Sequence, residues 1–485
     1  MPRSSVIILS LLFFMTMFIL PGCRDDIELS ADASLLFSAD TVRFDTVFSG
    51  IRSSTMTLMV RNPNKGRIRL QHIYLDKGEH SEFRFNIDGI SGEGNSVTDV
   101  EIEGKDSVYV LIDVKNPENG SNQPLYVHDV LHFVVNGSVR DVVLESYGQD
   151  VIIFRDKVIH NDSILASDKP YLVYGYLSVD EGRKLTLPPG TKIYFHDAAP
   201  LIIYGSLHAQ GTLESPILLR GDRLDNLFEK VPYSMVSGQW DGVYLLGGEV
   251  VHELNYVEIK SCQNGIYASS KDRNTIQSIN IHNCRIHNNA GTGLTAINSN
   301  LNVVNTEISN CASYCVYLAG GKHDFIHCTI ANFYGNTNVN IQRVHRESLP
   351  AVCINDIPKT AQMSTSFTNC IVTGTQRNEL SLLSYFDEQY PMTLKNCYLR
   401  TDSIEDNRYQ DIRYWHWDDK VFVNDYYRLG EYVDYDFHLS ESSPARGIGL
   451  VQATASYPID RDGNNRLVGE TPSDVGCYQF LETEE

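Results

Sequence analysis

Cys284-Arg285-Ile286, Thr306-Glu307-Ile308 and Cys328-Thr329-Ile330 show the recurring pattern that decides the fold of this 485-residue chain. Each segment begins with a small or apolar residue and ends with an aliphatic one. The pattern occurs six times, at Val257-Glu258-Ile259, Cys284-Arg285-Ile286, Thr306-Glu307-Ile308, Cys328-Thr329-Ile330, Cys370-Ile371-Val372 and Cys397-Tyr398-Leu399. The first residues of successive segments are 27, 22, 22, 42 and 27 positions apart, which predicts a solenoid. The interval of 42 residues predicts an extra coil of about 21 residues.

A related periodicity appears earlier in the chain, where apolar pairs recur every eight residues. The pairs are Leu177/Val179, Leu185/Leu187, Ile193/Phe195 and Leu201/Ile203. Residues 174–179 and 204–209 are near-copies of each other, offset by 30 positions. Such short runs favour a coil of three strands over a pair of helices.

The recurring small residues are expected to fill the interior of this coil. Equivalent strands would lie about 4.8 Å apart, so equivalent side chains would stack. The expected inward column is Cys284, Thr306, Cys328, Cys370 and Cys397, beside a column of Ile259, Ile286, Ile308, Ile330, Val372 and Leu399. A free cysteine packs as a compact hydrophobe. Two disulfides remain open, Cys370 with Cys397 and Cys311 with Cys315.

A ladder of polar turn residues follows the aliphatic column. Its members are Ser261, Asn288, Asn310 and Asn332. Asparagine tolerates the left-handed bend conformation, and stacked amides can bond from coil to coil. This ladder resembles that of right-handed parallel β-helix proteins, the pectate-lyase-like fold. The resemblance covers residues 151–450 and implies a fold without implying an activity.

The C-terminal closing segment, residues 451–485, carries a second resemblance. Residues 460–466 and 474–478 are similar to the closing motif of many bacterial extracellular β-helices. Asp460, Asp462 and Asn464 imitate the start of a calcium loop, but Gly463 comes too early and Thr471 replaces the bidentate glutamate. We expect a structural turn here. No metal or cofactor is predicted, and a structural calcium has no support.

Residues 41–150 show a period of two, which indicates β-strands. Strands are expected around Val42–Phe48, Met56–Val60, Phe83–Ile87, Val108–Val114, Leu131–Val135 and Val139–Leu144, with Asn136-Gly137 as a hairpin turn. About seven short strands without a helix predict a β-sandwich. The segment resembles immunoglobulin-like domains that precede bacterial β-helices, and we expect a spacer. The predicted fold is therefore all-β, a β-sandwich followed by a right-handed parallel β-helix solenoid.

The chain begins with a segment typical of export. Residues 1–22 combine Arg3 with an apolar stretch that is too short for a permanent membrane helix. The ending Leu20-Pro21-Gly22-Cys23 resembles a bacterial lipobox, which implies lipidation of Cys23. Residues 23–40 form an acidic tether similar to surface-export signals of some diderm bacteria. We therefore expect a lipid anchor in the outer membrane, facing the cell exterior.

The overall charge limits the partners. The formal net charge is −21 at pH 7, and such an acidic surface repels phosphate backbones. Nucleic acid is therefore excluded as an expected partner. An extracellular polysaccharide remains a candidate partner, and the oligomeric state stays open.

Charged residues between the inward positions are expected to face solvent. Glu258 and Glu307 would lie about 9.6 Å apart, two strand spacings, with Arg285 between them. This spacing approaches that of the carboxylates of inverting glycosidases. The alternative is a charge ladder, which we favour because Arg285 would lower the carboxylate pKa values, whereas a general acid needs a raised one.

Three further places are candidate binding sites. His327 belongs to a second expected outward stripe, with Tyr256, Asn283, Asn305, Asn369 and Asn396. Tyr414, Trp415 and Trp417 are aromatic enough to stack on sugar rings, although their segment could instead cap the solenoid. Arg343 and Arg346 lie in an interruption of the repeat, and solenoid insertions often map to a binding face.

The known catalytic motifs of this fold are not found in order. The polygalacturonase pattern is missing, and no acidic triplet suited to a pectate-lyase calcium site lies on the ladder. The leading expectation is a surface lipoprotein whose β-helix binds carbohydrate or adheres without turnover. A polysaccharide lyase or glycoside hydrolase of unrecognised type is the alternative, and a structural envelope protein is a third.

Overall fold

The computed structural model describes residues 34–228, 231–334, 349–356, 362–384, 391–426, 435–467 and 472–482. The chain divides into two compact units, one ending at Asp150 and one beginning at Val151. The regular secondary structure of the described residues is almost entirely β-strand, so the predicted all-β class is confirmed. The helical elements among them are one α-helix, Val451–Ser456, and three 3-10 turns, Gly78–His80, Glu93–Asn95 and Tyr233–Met235. No helix in these ranges is long and apolar enough to cross a membrane.

The first unit is a sandwich of two sheets that share one apolar core. The four-stranded sheet has the order Leu36–Phe37, Met56–Arg61, Ser107–Val114, Phe83–Ile87. The five-stranded sheet has the order Thr41–Phe48, Ser138–Gln149, Leu125–Val135, Ile68–Leu75, Ser96–Ile102. All neighbours are antiparallel except the first pair of the larger sheet. The finer resemblance to immunoglobulin-like domains stays a prediction.

The hairpin turn of the larger sheet lies where its sequence predicts. Asn136 and Gly137 have φ values of 49° and 81°, which a two-residue hairpin turn requires. The strand Ile68–Leu75 escaped the sequence analysis because a bulge between Leu70 and His72 reverses the alternation of its side chains. Ser96–Ile102 and Leu36–Phe37 were also missed.

The second unit is a parallel solenoid with three faces. The first face contains Lys192–Phe195, Ile217–Gly221, Val257–Lys260, Arg285–Asn289, Glu307–Cys311, Thr329–Asn332, Ile371–Gly374, Tyr398–Leu399 and Arg413–Tyr414. The second face contains Pro200–Ile203, Gly242–Leu245, Asn264–Ser269, Leu294–Ile297, Val316–Ala319, Val352–Asp356 and Leu380–Ser384.

The third face contains Ser163–Ile164, Lys184–Leu187, Ser206–Gln210, Val251–Asn255, Gln277–His282, Ser299–Val304, Gly321–Ile326, Met363–Thr368, Met392–Lys395 and Tyr409–Gln410. The long strands Ile152–Ile159 and Tyr171–Val179 begin both the first and the second face. Two antiparallel pairs lie outside the coil, Asn226–Phe228 with Val231–Pro232 and Phe422–Asn424 with Asp436–Leu439. The right hand of the coil stays a prediction, based on the handedness of parallel crossovers in general.

Strand pairing explains the early periodicity. Leu177 pairs with Leu201, so three consecutive eight-residue steps make one complete coil. The near-copies at 174–179 and 204–209 lie on different faces, because Tyr171–Val179 belongs to the first two faces and Ser206–Gln210 to the third. Their offset of 30 residues is therefore not the length of a coil.

The predicted extra coil between Cys328 and Cys370 does not exist. Thr329 pairs directly with Ile371, and Ile330 with Val372. Most of the additional residues therefore belong to the connection between the strands Thr329–Asn332 and Val352–Asp356, and the rest to the connection between Val352–Asp356 and Met363–Thr368. Residues added to the connections lengthen the interval between equivalent strands as much as an extra coil does. The spacing alone therefore could not distinguish longer connections from an extra coil.

The inward column of small residues is present and is linked by hydrogen bonds. Its five members and their aliphatic neighbours are buried. The backbone N–H of Cys328 donates to Sγ of Cys370 over 3.5 Å, and that of Cys370 donates to Sγ of Cys397 over 3.4 Å. The nine cysteines of the described ranges are all free and buried, including both pairs that the sequence left open.

The polar turn ladder is shorter than expected. Ser261, Asn288 and Asn310 have φ values of 61°, 58° and 51°, and Nδ2 of Asn288 donates to Oγ of Ser261 over 3.1 Å. Asn332 does not continue this ladder, because it is paired with Gly374 within the strand Thr329–Asn332 and lacks the left-handed φ of the other members. Its Oδ1 instead accepts the backbone N–H of Cys311 over 3.1 Å.

The chain leaves the coil after Arg413–Tyr414, the last paired strand of the first face in the described residues. Residues 435–467 and 472–482, here called the C-terminal strap, lie against the outer side of that face. Ile371 and Tyr398 of the first face share an apolar cluster with Phe437 and Val475 of the strap. The predicted solenoid boundary at residue 450 is therefore later than the end of the coil, because strap residues before 450 already lie outside it.

Candidate functional site

Five charged or titratable residues form a network on the outer side of the first face. Glu258, Arg285 and Glu307 are paired in register on successive coils, and Lys260 is paired with His287 beside them. Nε of Arg285 donates to Oε1 of Glu307 over 3.0 Å. Residues of opposite charge thus follow one another along the face, and the choice between a charge ladder and an acid/base pair stays a prediction.

Glu258 is partly exposed and bonded to two basic side chains. Its Oε1 lies 3.0 Å from Nε2 of His287 and 3.0 Å from Nζ of Lys260. Burial opposes ionisation of Glu258, but the hydrogen bond from His287 and the charge of Lys260 outweigh it and hold the pKa well below its ordinary value. Glu258 is therefore a carboxylate at neutral pH and has no proton to donate as a general acid.

Glu307 is not on the surface, and this corrects the sequence analysis. Only 1% of its side chain is exposed. Its Oε1 accepts hydrogen bonds from Arg285 and from Ser309, and its Oε2 accepts one from Tyr478 of the strap. Burial alone would raise the pKa of Glu307, but the charge of Arg285 and these hydrogen bonds lower it to about 2. The strap hides Thr329 in the same way, because Cys477 N–H donates to its Oγ1 over 3.0 Å.

His327 is also buried and is not an exposed binding residue. It has a φ of 51°, as a left-handed turn residue, and its Nε2 lies 3.1 Å from Nδ2 of Asn369 and 3.3 Å from Oγ1 of Thr454. Burial holds its pKa well below the ordinary value. The other residues of this expected outward stripe, Tyr256, Asn283, Asn305, Asn369 and Asn396, have the same left-handed conformation.

The three aromatic candidates Tyr414, Trp415 and Trp417 differ in how far they are exposed. Tyr414 ends the last strand of the first face and donates its hydroxyl to the carbonyl of Ile404 over 3.2 Å. Trp415 is half-buried beneath the guanidinium of Arg400, whereas 79% of Trp417 is exposed. Tyr414 and Trp415 therefore complete the end of the coil. Arg343 and Arg346, like Cys23, lie outside the described residues.

The calcium-like loop is a hydrogen-bonded turn. Oδ1 of Asp460 accepts the backbone N–H groups of Asp462 and Asn464, and Oδ2 accepts that of Gln479. Across the described ranges, no three His, Cys, Asp or Glu side chains converge in a way that could hold a metal ion.

A cleft beside the strap was missed by the sequence analysis. Its volume of about 710 Å³ falls within the roughly 300–1,000 Å³ typical of ligand sites. The residues lining this strap cleft are Val423, His438, Leu439, Glu441, Arg446, Asp462, Asn464, Gln479, Phe480, Leu481 and Glu482. They come from four separate stretches of sequence without periodicity, so no sequence pattern marks them as neighbours.

One wall of the strap cleft is organised by His438. Its Nδ1 lies 2.5 Å from Oδ1 of Asp436 and its Nε2 lies 2.7 Å from Oδ2 of Asp462. These two hydrogen bonds raise the pKa of His438 to about 10, so the imidazole is charged at neutral pH. The same contact with His438 lowers the pKa of Asp436. The His438 ring also packs on the Tyr478 ring, with 4.2 Å between centroids.

The other wall combines flat and polar groups. The guanidinium of Arg446 lies 3.8 Å from the centroid of the Phe480 ring and donates to the carbonyl of Glu441. Exposed carboxylates of Glu441 and Glu482 stand beside this pair. The strap cleft therefore offers apolar surface next to donors and acceptors of hydrogen bonds.

No protein-family model and no curated protein matches this sequence. Among solved structures, the chain is similar to the ASH/PapD-like domain of human CEP192, with 11% identity and a TM-score of 0.17 over 24% of this chain and 85% of that one. It is also similar to a family 123 glycoside hydrolase from Clostridium perfringens, with 10% identity and a TM-score of 0.17 over 24% of this chain and 26% of that one. Scores this low do not establish a shared fold, so neither similarity assigns the chain to a family.

Proposed function

We propose that this protein is a lipid-anchored surface protein whose solenoid unit binds an extracellular glycan without turnover. The strap cleft is the proposed binding site. The proposal rests on the stacked side chains of Arg446 and Phe480, which lie in the cleft among hydrogen-bonding groups. Sugar rings have apolar C–H faces and polar edges, and aromatic residues with nearby polar groups suit both.

The absence of turnover is supported by the state of the carboxylates described above. A glycosidase needs one carboxyl group with a raised pKa as its acid. Glu258 and Glu307 have lowered pKa values, as do Asp436 and Asp462 beside the cleft. Each is ionised at neutral pH, so none of these four is suited to protonate a leaving group.

The charge around the cleft favours a neutral glycan over an acidic one. His438 and Arg446 bring positive charge, but both are already bonded to partners within the strap. Asp462, Glu441 and Glu482 bring three carboxylates to the lining. A uronate-rich or sulfated chain would meet this negative potential and that of the whole molecule, whose net charge is −21.

A polysaccharide lyase or hydrolase remains the second candidate, and one observation favours it. Glu258, Lys260, Arg285 and His287 retain between 15% and 25% side-chain exposure, so solvent reaches this part of the first face. Cleavage at this place would require a polysaccharide to contact Glu258 and its charged neighbours on the first face, next to the strap.

Binding and cleavage can be separated in one experiment. Purified protein is passed through gels containing neutral or acidic polysaccharides, while new reducing or unsaturated ends are measured in parallel. We expect retardation by a neutral glycan, no new ends, and at least a tenfold loss of affinity in the double variant Phe480→Ala, Arg446→Ala. Tyr204→Ala is the matched control, because it removes an exposed aromatic ring of the solenoid unit that does not line the cleft. New ends that disappear in Glu258→Gln would refute binding without turnover.

The anchor has its own test. Cells expressing the protein are labelled with a radioactive fatty acid, and Cys23→Ser is expected to abolish incorporation. External protease should digest the wild-type protein on intact cells if it faces the exterior. Labelling that persists in the variant would contradict the lipid anchor at Cys23.

A further inference from the structure

The outer side of the five-stranded sheet carries a row of aromatic rings in the sandwich unit. Tyr126 and Tyr147 are directly opposite each other in register and are 45% and 48% exposed. Their ring centroids are 5.3 Å apart, with an angle of 48° between the planes. The ring of His128 stacks on Tyr126 at 5.4 Å and 14°.

The row continues along the neighbouring strand. Tyr74 lies 4.8 Å from His132 and 4.6 Å from His72, measured between ring centroids. Tyr126, His128 and His132 all belong to the strand Leu125–Val135, with side chains on the same side of the sheet. The six-residue step from Tyr126 to His132 corresponds to roughly 20 Å along the strand. The residues of this aromatic row are Tyr74, His72, Tyr126, His128, His132 and Tyr147.

Polar groups border the rings. The hydroxyl of Tyr126 donates to Oε1 of Glu145 over 2.9 Å, and Nε of Arg43 donates to Oε2 of the same carboxylate over 2.8 Å. Nδ1 of His132 lies 2.8 Å from Oδ1 of Asp141. Each end of the row therefore has flat apolar surface beside hydrogen-bonding groups.

Pairing within the sheet does not account for the row. Cross-strand contacts explain why Tyr126 touches Tyr147, but they leave about half of each ring in water. The water-facing side of a sheet ordinarily carries polar residues, whereas this one exposes the rings of Tyr126, His128 and Tyr147. Contiguous exposed apolar patches mark binding surfaces.

We infer that the aromatic row binds a neutral glycan chain lying along the strand Leu125–Val135. The ring faces match the C–H faces of sugars, and the carboxylates of Glu145 and Asp141 accept hydrogen bonds from sugar hydroxyls. A protein partner fits less well, since stable interfaces bury about 800 Å² per partner around an apolar centre, and ion pairs border this row. Acidic glycans are disfavoured by Asp76, Asp141 and Glu145. This site lies in the other unit and does not depend on the strap cleft.

The test compares substitutions of exposed tyrosines on the two sheets of the sandwich. The double variant Tyr126→Ala, Tyr147→Ala removes the centre of the row, and Tyr109→Ala is the control, because Tyr109 is 57% exposed on the strand Ser107–Val114 of the other sheet. Both are made in the Phe480→Ala, Arg446→Ala background, so that binding at the strap cleft does not contribute. Affinity for soluble neutral polysaccharides is measured by gel retardation and by tyrosine fluorescence.

We expect the double variant to lose at least tenfold in affinity and the Tyr109 control to lose less than twofold. Tyr126→Phe with Tyr147→Phe should keep most of the affinity, because the ring faces remain. If the alanine variant fails to fold, Tyr147→Thr gives the same test, because threonine suits a strand and has no ring. Equal affinity of the row variants and the control would overturn the inference, as would self-association of the wild-type protein that Tyr126→Ala abolishes. If Phe480→Ala with Arg446→Ala already abolishes all binding, the aromatic row contributes nothing. That result would refute this inference and leave the strap-cleft proposal standing.

Discussion

The hydroxyl of Tyr478 donates a hydrogen bond of 2.6 Å to Oε2 of Glu307, across 171 positions of sequence. This contact joins the C-terminal strap to the first face of the solenoid. It also removes from solvent a carboxylate that the repeat pattern places on the outer side of the coil. Tyr478 of the strap thus determines that Glu307 of the first face is kept away from solvent.

Removing the Tyr478 hydroxyl should destabilise the solenoid unit. Tyr478→Phe leaves a buried carboxylate with one hydrogen bond fewer, and hydrogen bonds to charged groups contribute about 1.5–3 kcal/mol. The free energy of unfolding is measured by urea titration. Tyr414→Phe is the control, because its hydroxyl bonds a neutral carbonyl in a less buried place, and it should cost about 0.5–1.5 kcal/mol. Equal losses in the two variants would show that the charge of Glu307 is unimportant.

The stability of the solenoid unit should fall at both ends of the pH scale. The pKa of Glu307 is lowered from 4.5 to about 2 in the folded protein, so its contribution is complete above pH 4.5 and is lost as the pH falls through about 2. The pKa of His438 is raised from 6.5 to about 10, so its contribution is complete below pH 6.5 and is lost as the pH rises through about 10.

This pH dependence is checked by the melting temperature measured across the range, with His438→Gln as the informative variant. The variant should remove most of the decline between neutral and alkaline pH. It should also weaken the decline on the acid side, because Asp436 and Asp462 lose the hydrogen bonds that lower their pKa values. An alkaline decline of the same size in the variant would mean that another group is responsible.

Close packing of the strap depends on Gly476. It has a φ of 92°, and a Cβ atom there would lie 2.7 Å from Cδ1 of Ile371 and 2.8 Å from Oγ1 of Thr329. Gly447 also has a positive φ, of 66°, but a Cβ atom would meet nothing within 4 Å. Gly447→Ala should therefore cost about 1–2 kcal/mol from backbone strain, and Gly476→Ala about 1–3 kcal/mol more from overpacking. Thermal unfolding measures both, and equal costs would contradict close contact at Gly476.

The inward column should accept a hydroxyl more readily than a larger side chain. Thr306 already occupies one position among the cysteines, with its Oγ1 accepting the N–H of Cys284 and donating to the carbonyl of Val304. Cys328→Thr keeps these hydrogen-bonding possibilities, whereas Cys328→Leu overfills a fully buried position and should cost about 1–3 kcal/mol. Denaturant unfolding of both variants tests this, and a leucine variant as stable as threonine would show spare volume in the column.

Most of the coil could be predicted from the sequence because its contacts repeat. Cys284, Thr306 and Cys328 occupy equivalent places on successive coils, so the need for a small buried side chain recurs at a regular interval. Gly463 and Thr471 likewise favoured a structural turn over a calcium loop from local sequence alone, and Asp460 bonds to backbone N–H groups in that turn. The interval of 42 residues after Cys328 predicted a coil wrongly, because residues added to the connections lengthen the interval between equivalent strands as much as a coil does.

The candidate site could be predicted only in part. Alternation along Glu307-Ile308-Ser309 indicates which side chains point away from the core, and Glu307 does point outward. It cannot show that Tyr478 will lie on top of it, nor that His438 and Asp462 will meet beside a cleft. Local sequence determined the all-β class, the three-faced coil and its thiol-lined interior, since these follow from patterns within about 30 residues. Only the tertiary structure decided which outward residues meet water, because the strap contacts the coil through single, non-repeating pairs that leave no periodic trace in the sequence.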